Sequence, residues 1–271
     1  MTIDMPLERL AELIEDGAKL AIPAEYAGVS MAMVPPLLRR GAKDLHLVCV
    51  PTAGIQADIL IGAGAVATVE TSALTLGEAG GAPAFNRAVK SGTIRVMDAT
   101  CPAIHSGLIA SQKGAPFLPM RGLIGSDILA NRPDWKVIDN PFSDAPDPVV
   151  LIPAITPDVA LFHAPAADRF GNVQIGRRRE LATMAYASRR TIVTVERIVD
   201  GDLMATEASA AGTLPALYVD AIGVAPRGAA PCTLWGEYET DVEAMKAYAR
   251  AARSPEALAD YIDALAGRVP A

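Results

Sequence analysis

Asp44-Leu45-His46-Leu47-Val48-Cys49-Val50 is a nearly unbroken apolar run, set between Gly41 and Pro51. A strand without polar alternation is one covered on both faces, as in a parallel sheet. Working back from it, residues 31–40 carry a helical pattern that Gly41 closes, and Lys19-Leu20-Ala21-Ile22 reads as another strand. Further back, Leu7, Leu10, Leu13 and Ile14 recur at helical spacing, with Gly17 placed to end that helix. Working forward, Val66-Ala67-Thr68-Val69 reads as strand, 84–90 as helix, Thr93-Ile94-Arg95-Val96-Met97 as strand, and 103–112 as helix ending at Lys113-Gly114. Strand and helix in alternation predict an α/β fold, an open and mostly parallel sheet with helices on both faces.

Between residues 116 and 157 prolines crowd the chain, among them Pro119, Pro133, Pro141, Pro146, Pro148 and Pro153. Each removes a backbone donor and fixes φ, which predicts loop and short strand. Phe117, Leu118, Trp135 and Phe142 in the same stretch argue for a packed connection inside one domain spanning 1–271, not for a free linker. The sheet pattern then resumes at 149–152, 159–162, 191–195 and 217–222. Two C-terminal helices follow. Thr240 and Glu243 have capping-box spacing for the first, and Ser254-Pro255-Glu256 is a start signal for the second, whose Leu258, Ile262 and Leu265 share one face.

The chain has 271 residues, 51% hydrophobic and 20% charged, and a formal net charge of −7. That composition supports a buried core. With no basic block longer than Arg177-Arg178-Arg179, it argues against a nucleic-acid partner and against docking on an anionic membrane. Cys49, Cys101 and Cys232, and likewise His46, His105 and His163, are scattered without metal-ligand spacing, so no metal is expected. The first residues lack a basic region followed by an apolar one, and no apolar stretch reaches about 18 residues. These features predict a cytoplasmic protein.

Polar residues that could carry chemistry gather after the predicted strands, where open α/β sheets bind ligands. His163-Ala164-Pro165-Ala166-Ala167-Asp168-Arg169-Phe170-Gly171-Asn172-Val173-Gln174 follows one of them; Asp168 and Asn172 can brace a turn there or flank a ligand. Ser72, Glu78, Gly80 and Gly81 follow another and are either pocket lining or a surface turn. Cys101, ahead of Pro102 at a helix start, is either a reactive thiol or a small buried hydrophobe; His105, one turn on, is either a base or a packing residue.

The ordered set of HA-x-x-AD-x-x-GNV-Q from His163, TVERIVDG from Thr194, VDAIGVAPRGAAP from Val219, LIGAGAV from Leu60, GAPFLPMRGLIGSD from Gly114 and GEYETDVEAMKAY from Gly236 resembles the alpha subunit of family I coenzyme A transferases, of the glutaconate CoA-transferase type. The resemblance runs from about residue 15 to 265. It implies a CoA-transferase/NagB-like subunit that works beside a homologous beta subunit, as heterodimer or heterotetramer, moving CoA between carboxylic acids. The nucleophilic glutamate is implied to lie on the beta subunit; neither Glu196 nor Glu237 fits its motif, so no catalytic residue is expected in this chain. Acyl-CoA and a small carboxylic acid are the implied ligands, with coenzyme A as co-substrate and no permanently bound cofactor. The candidate substrate-binding set is Glu25, Tyr26, Gly28, Ser30, Ser72, Glu78, Cys101, His105 and Asn172, with Glu25 open to binding a cationic group, acting as a base or being solvated.

Three departures stand out. The loop after the first strand, Pro23-Ala24-Glu25-Tyr26-Ala27-Gly28-Val29-Ser30-Met31, keeps Gly28 of a Gly-rich pattern and has lost its basic residues. Ala230 replaces a His that the family tends to carry. Cys101 stands where a ring-opening hydrolase branch has a glutamate. One chain of a CoA-thioester hydrolase, or a non-catalytic ligand-binding or assembly module, is therefore an alternative.

Overall fold

The computed structural model describes residues 2–267. Seven strands run parallel in one sheet: β1 (Lys19–Pro23), β2 (Leu45–Val50), β3 (Val66–Thr71), β4 (Arg95–Asp98), β5 (Val159–Asp168), β6 (Arg190–Val199) and β7 (Ala221–Val224). Their spatial order is β7-β6-β5-β1-β2-β3-β4. From β1 the chain winds outward to β4, then returns to lay β5 on the other side of β1 and winds outward again. The order reverses between β1 and β5, and the loops leaving their carboxyl ends diverge there. Such a switch point leaves a crevice, the usual ligand position in this class of sheet.

Alternate side chains of each strand feed two cores. Leu20, Ile22, Leu47, Cys49 and Leu161 pack beneath the helices Leu7–Glu12, Val34–Arg40, Ile55–Gly62, Val242–Ala251 and Pro255–Ala266. Ala21, Val48, Val50, Phe162 and Val193 pack on the opposite face, beneath Cys101–Gln112 and Arg179–Ala187. Two-residue periodicity in each strand makes this division automatic.

The proline-rich segment departs from expectation. Phe117–Met120, Lys136–Asp139 and Pro148–Pro153 form an antiparallel sheet with Pro148–Pro153 in the centre, so the apolar run 149–152 belongs there and not to the parallel sheet. Trp135 and Leu123 are buried, but Phe142 is 95% exposed and does not anchor the segment. Arg132 does: its guanidinium bonds Glu70 of β3 at 2.9 Å, Asp134 at 2.8 Å and the Asp98 carbonyl of β4 at 3.1 Å, and it stacks on Trp135.

Other expectations shift. The helix Ile55–Gly62 has seven of its eight residues buried and so carries no amphipathic stripe to announce it. Asp241, not Thr240, caps Val242–Ala251, accepting from Ala244 N at 2.9 Å. Ser254 caps the last helix as expected. Residues 217 and 218 lie in a 3-10 turn, leaving β7 to begin at Ala221. The N-terminal helix stops at Glu12, and Gly17 (φ +76°) serves a later turn. Among the described residues no helix is long and apolar enough to cross a membrane.

Candidate active site

The segment 24–33 leaves the carboxyl end of β1 at the switch point and presents two side chains. Glu25 turns toward the helix Ile55–Gly62 and accepts the Ile55 N–H at 2.6 Å. Gly54 is required there: a Cβ at that position would stand 1.9 Å from Glu25 Oε1. Burial raises the Glu25 pKa above the usual carboxylate value, the Ile55 N–H opposes this, and nearby Asp58 adds to it. Tyr26, 60% exposed, projects from the edge.

Tyr26 stands between two cavities. One, of about 610 Å³, is lined by Glu25, Glu78, Glu239, Thr233 and Met245 among others, and holds three carboxylates with no lysine or arginine. The other, of about 380 Å³, lies over the carboxyl end of β2 and is lined by Tyr26, Pro51, His105, Arg179, Glu180 and Thr183. Arg179, at the start of its helix, donates one N–H to the Ala211 carbonyl at 2.7 Å. Burial lowers the His105 pKa, with Glu180 pulling the other way. Beside this cavity Ser72 donates to the Pro51 carbonyl at 2.8 Å, and its oxygen is 3.1 Å from Cys101 Sγ. Cys101 is exposed, in the first turn of Cys101–Gln112 behind the Thr100 cap.

The structure thus gathers six of the expected residues, Glu25, Tyr26, Ser72, Glu78, Cys101 and His105, at one edge. It places the other three elsewhere. Gly28 (φ +85°) is wedged under β5, where a Cβ would meet the His163 carbonyl at 2.2 Å. Ser30 is fully buried, its hydroxyl 2.6 Å from that of Thr194. Asn172 is buried in the turn that follows β5: Asp168 accepts from its N–H and its side-chain amide, while Asn172 Oδ1 accepts from Ala216 N. These three shape the walls and do not line either cavity.

A buried polar hub also went unassigned. β5 continues through Asp168, so His163 is a mid-strand residue, paired in register with Thr194 of β6. Its Nδ1 is 2.8 Å from Thr194 Oγ1 and its Nε2 2.8 Å from Glu196. Glu196 also accepts from Arg227 N at 2.7 Å, Gly228 N at 3.2 Å and the Tyr238 hydroxyl at 2.8 Å. Burial opposes its ionisation, but those bonds win and hold its pKa at about 2. The one signal in the sequence was polarity, at 163, 194 and 196, inside otherwise apolar strands. Arg179 had no such signal, since it reaches the cavity from a helix far along the chain.

The family model for coenzyme A transferase matches residues 3–225. An uncharacterized protein of Archaeoglobus fulgidus is 33% identical over 261 residues, 94% of this chain; the chain spans only 57% of that relative's length. One of the subunits of the 3-oxoadipate CoA-transferase of Pseudomonas knackmussii is 32% identical, with 94% of this chain and 90% of that protein covered. Among solved structures, the glutaconate coenzyme A-transferase of Acidaminococcus fermentans superimposes with a TM-score of 0.87 at 27% identity, over 97% of this chain and 88% of that one. A variant of the decarboxylase AibA/AibB gives 0.82 at 31% identity, over 96% and 98%.

Proposed function

This chain belongs to the coenzyme A transferase family, and from that premise we propose that it is the alpha subunit of a heteromeric transferase that moves CoA between carboxylic acids. A homologous beta subunit completes the crevice and brings the glutamate nucleophile. The observation that carries this reading is the engagement of Glu196, a half-buried carboxylate that accepts four hydrogen bonds and is held at a pKa of about 2. A carboxylate so engaged is a poor nucleophile, since attack must give up bonds that favour its charge.

In the reaction the partner's carboxylate attacks the acyl-CoA carbonyl and expels the CoA thiolate, leaving a mixed anhydride. The thiolate then attacks the glutamyl carbonyl, releasing the first acid and forming a glutamyl-CoA thioester. The second acid reverses both steps. This chain's part is to hold the acid. The family's basic loop residues are gone from 23–31, but folding returns a cation, Arg179, to the same edge, beside Tyr26. A carboxylate of a small acid seats in the 380 Å³ cavity against that guanidinium, which favours anions by charge-assisted hydrogen bonding. Coenzyme A is a co-substrate, and the chain forms one domain in a cytoplasmic complex.

The test is co-expression with a homologous beta subunit, then assay with acetyl-CoA as donor and glutarate as acceptor. The expected result is transfer that requires both chains and an acceptor acid. Release of CoA or CO2 without an acceptor overturns it in favour of one chain of a hydrolase or decarboxylase; the likeness to AibA/AibB and the cation-free 610 Å³ cavity favour that second reading. Thioester binding without turnover in the assembled complex would leave a ligand-binding module.

A further inference from the structure

The segment that presents Glu25 and Tyr26 is held by a line of hydrogen bonds, buried from His163 to Gln56 and part-buried at its Glu196 and Glu25 ends. The line starts at Glu196, which only accepts while ionised. His163 Nε2 therefore donates to it, and in the neutral imidazole Nδ1 then accepts from the Thr194 hydroxyl. Thr194 Oγ1, having spent its proton, accepts from Ser30. The Ser30 carbonyl accepts from Gln56 Nε2 at 2.6 Å, and Gln56 follows Ile55, whose N–H holds Glu25. With the imidazole neutral, the ring and hydroxyl donors of this line point toward Glu196, and its other end reaches Glu25 of the same segment that carries Ser30.

Backbone contacts run alongside. The His163 N–H donates to the Gly28 carbonyl at 2.6 Å, and Ala32 N donates to the Gly228 carbonyl at 2.8 Å. Gly228 is fixed by Glu196 through its own N–H, and a Cβ there would strike the His163 ring at 2.5 Å. The Trp235 ring covers Gly28 from the other side, 3.0 Å from where a Cβ would stand. His163, Thr194 and Ser30 are fully buried and the Glu196 side chain is 10% exposed, so water does not substitute for a lost link.

We infer that Glu196, His163, Thr194 and Ser30 are positioning residues: they set where the Glu25–Tyr26 segment stands between the two cavities, without touching substrate. The inference rests on the proposed function for its kinetic arm and on the fold alone for its structural arm. Removing the Thr194 hydroxyl breaks the line in the middle. Ser30 and the imidazole each lose a buried partner, a loss that corresponds to about a ten- to hundredfold effect on an equilibrium.

The experiment compares Thr194→Val, Thr194→Ser, Ser30→Ala and the remote core variant Ile14→Ala, each assembled with the beta subunit. Hydrogen exchange is read peptide by peptide. Thr194→Val should exchange at residues 24–33 about tenfold or more faster than wild type, with residues 117–153 unchanged. Ser30→Ala, the gentler variant, should move the same peptide in the same direction, which covers the case that Thr194→Val folds poorly. In the acetyl-CoA and glutarate assay Thr194→Val should lose about tenfold or more in kcat/KM, and Thr194→Ser should recover to within about threefold. Ile14→Ala should lower Tm with neither effect.

Unchanged exchange at 24–33 in both Thr194→Val and Ser30→Ala overturns the inference. So does faster exchange with undiminished turnover, or an equal kinetic loss in Ile14→Ala. A wild-type complex that shows no acceptor-dependent transfer refutes the proposed function instead. The kinetic arm is then read on acceptor-independent CoA release or, without turnover, on calorimetric affinity for acetyl-CoA, and the same loss and recovery are required.

Discussion

The two cavities beside Tyr26 are built from the same edge of the same sheet, yet their chemistry is opposed. The larger is walled by Glu25, Glu78 and Glu239 with no cation; the smaller sets Arg179 beside one carboxylate, Glu180, with His105 and Thr183. On the proposed function an incoming acid is disfavoured by the first and held by Arg179 in the second, with exposed Tyr26 lining both. The contrast teaches that the charge on each side of Tyr26 is set largely by segments distant in the chain, Glu78 and Glu239 on one side and Arg179 and Glu180 on the other.

Removing the cation should break the contrast most. Arg179→Gln loses one charge-assisted bond of about 1.5–3 kcal/mol, so KM for the acid should rise about ten- to hundredfold with kcat within about threefold. Steady-state kinetics of the assembled enzyme check this; an unchanged KM would place the acid elsewhere. Removing the shared tyrosine comes next. Tyr26→Ala opens one cavity to the other and should cut kcat/KM for short acids about tenfold while narrowing the difference between short and long ones, read across a series of acceptor acids.

The two engaged carboxylates sharpen the comparison through pH. Glu25 has a raised pKa, so its contribution to stability is full below 4.5 and is lost as pH rises through its folded value. Melting curves should show Glu25→Gln gaining on wild type as pH climbs above 4.5. Glu196 is held at about 2, so its contribution is present above 4.5 and fades as pH falls toward 2. Wild type should therefore lead Glu196→Gln at neutral pH and lose that lead in acid. Parallel pH dependences for the two variants would contradict the geometry. The smallest effect is expected at Cys101. Serine offers Ser72 a hydroxyl in place of the thiol, so Cys101→Ser should change kcat/KM less than about twofold.

What could be read from the residues was what repeats locally. Apolar runs marked β1 to β3, β5 and β6, although β5 and β6 proved about twice as long as the runs that marked them, because His163 interrupts the first and Glu196 and Arg197 the second. Ile55–Gly62 was missed for the converse reason, burial on all sides, with Gln56 and Asp58 partnered within the protein. Phe142 was expected to pack and does not, since an aromatic side chain carries no sign of the face its strand or loop will present.

Glu25, Tyr26, Ser72, Glu78, Cys101 and His105 could be placed at the carboxyl edge of the sheet because each follows a strand. Gly28, Ser30 and Asn172 follow strands too but point inward, a distinction that spacing alone does not make. Arg179 and Glu196 reach their surroundings only after folding has brought segments far apart in the chain together.

The central claim is that this polypeptide is half of a composite site whose attacking carboxylate belongs to its partner. Its most direct test is peptide mass spectrometry of the two-chain complex after incubation with acetyl-CoA and borohydride trapping. Modification is expected at one glutamate of the beta subunit, with none on this chain. Modification of Glu25, Glu78, Glu196 or any other acid of this chain would contradict the claim.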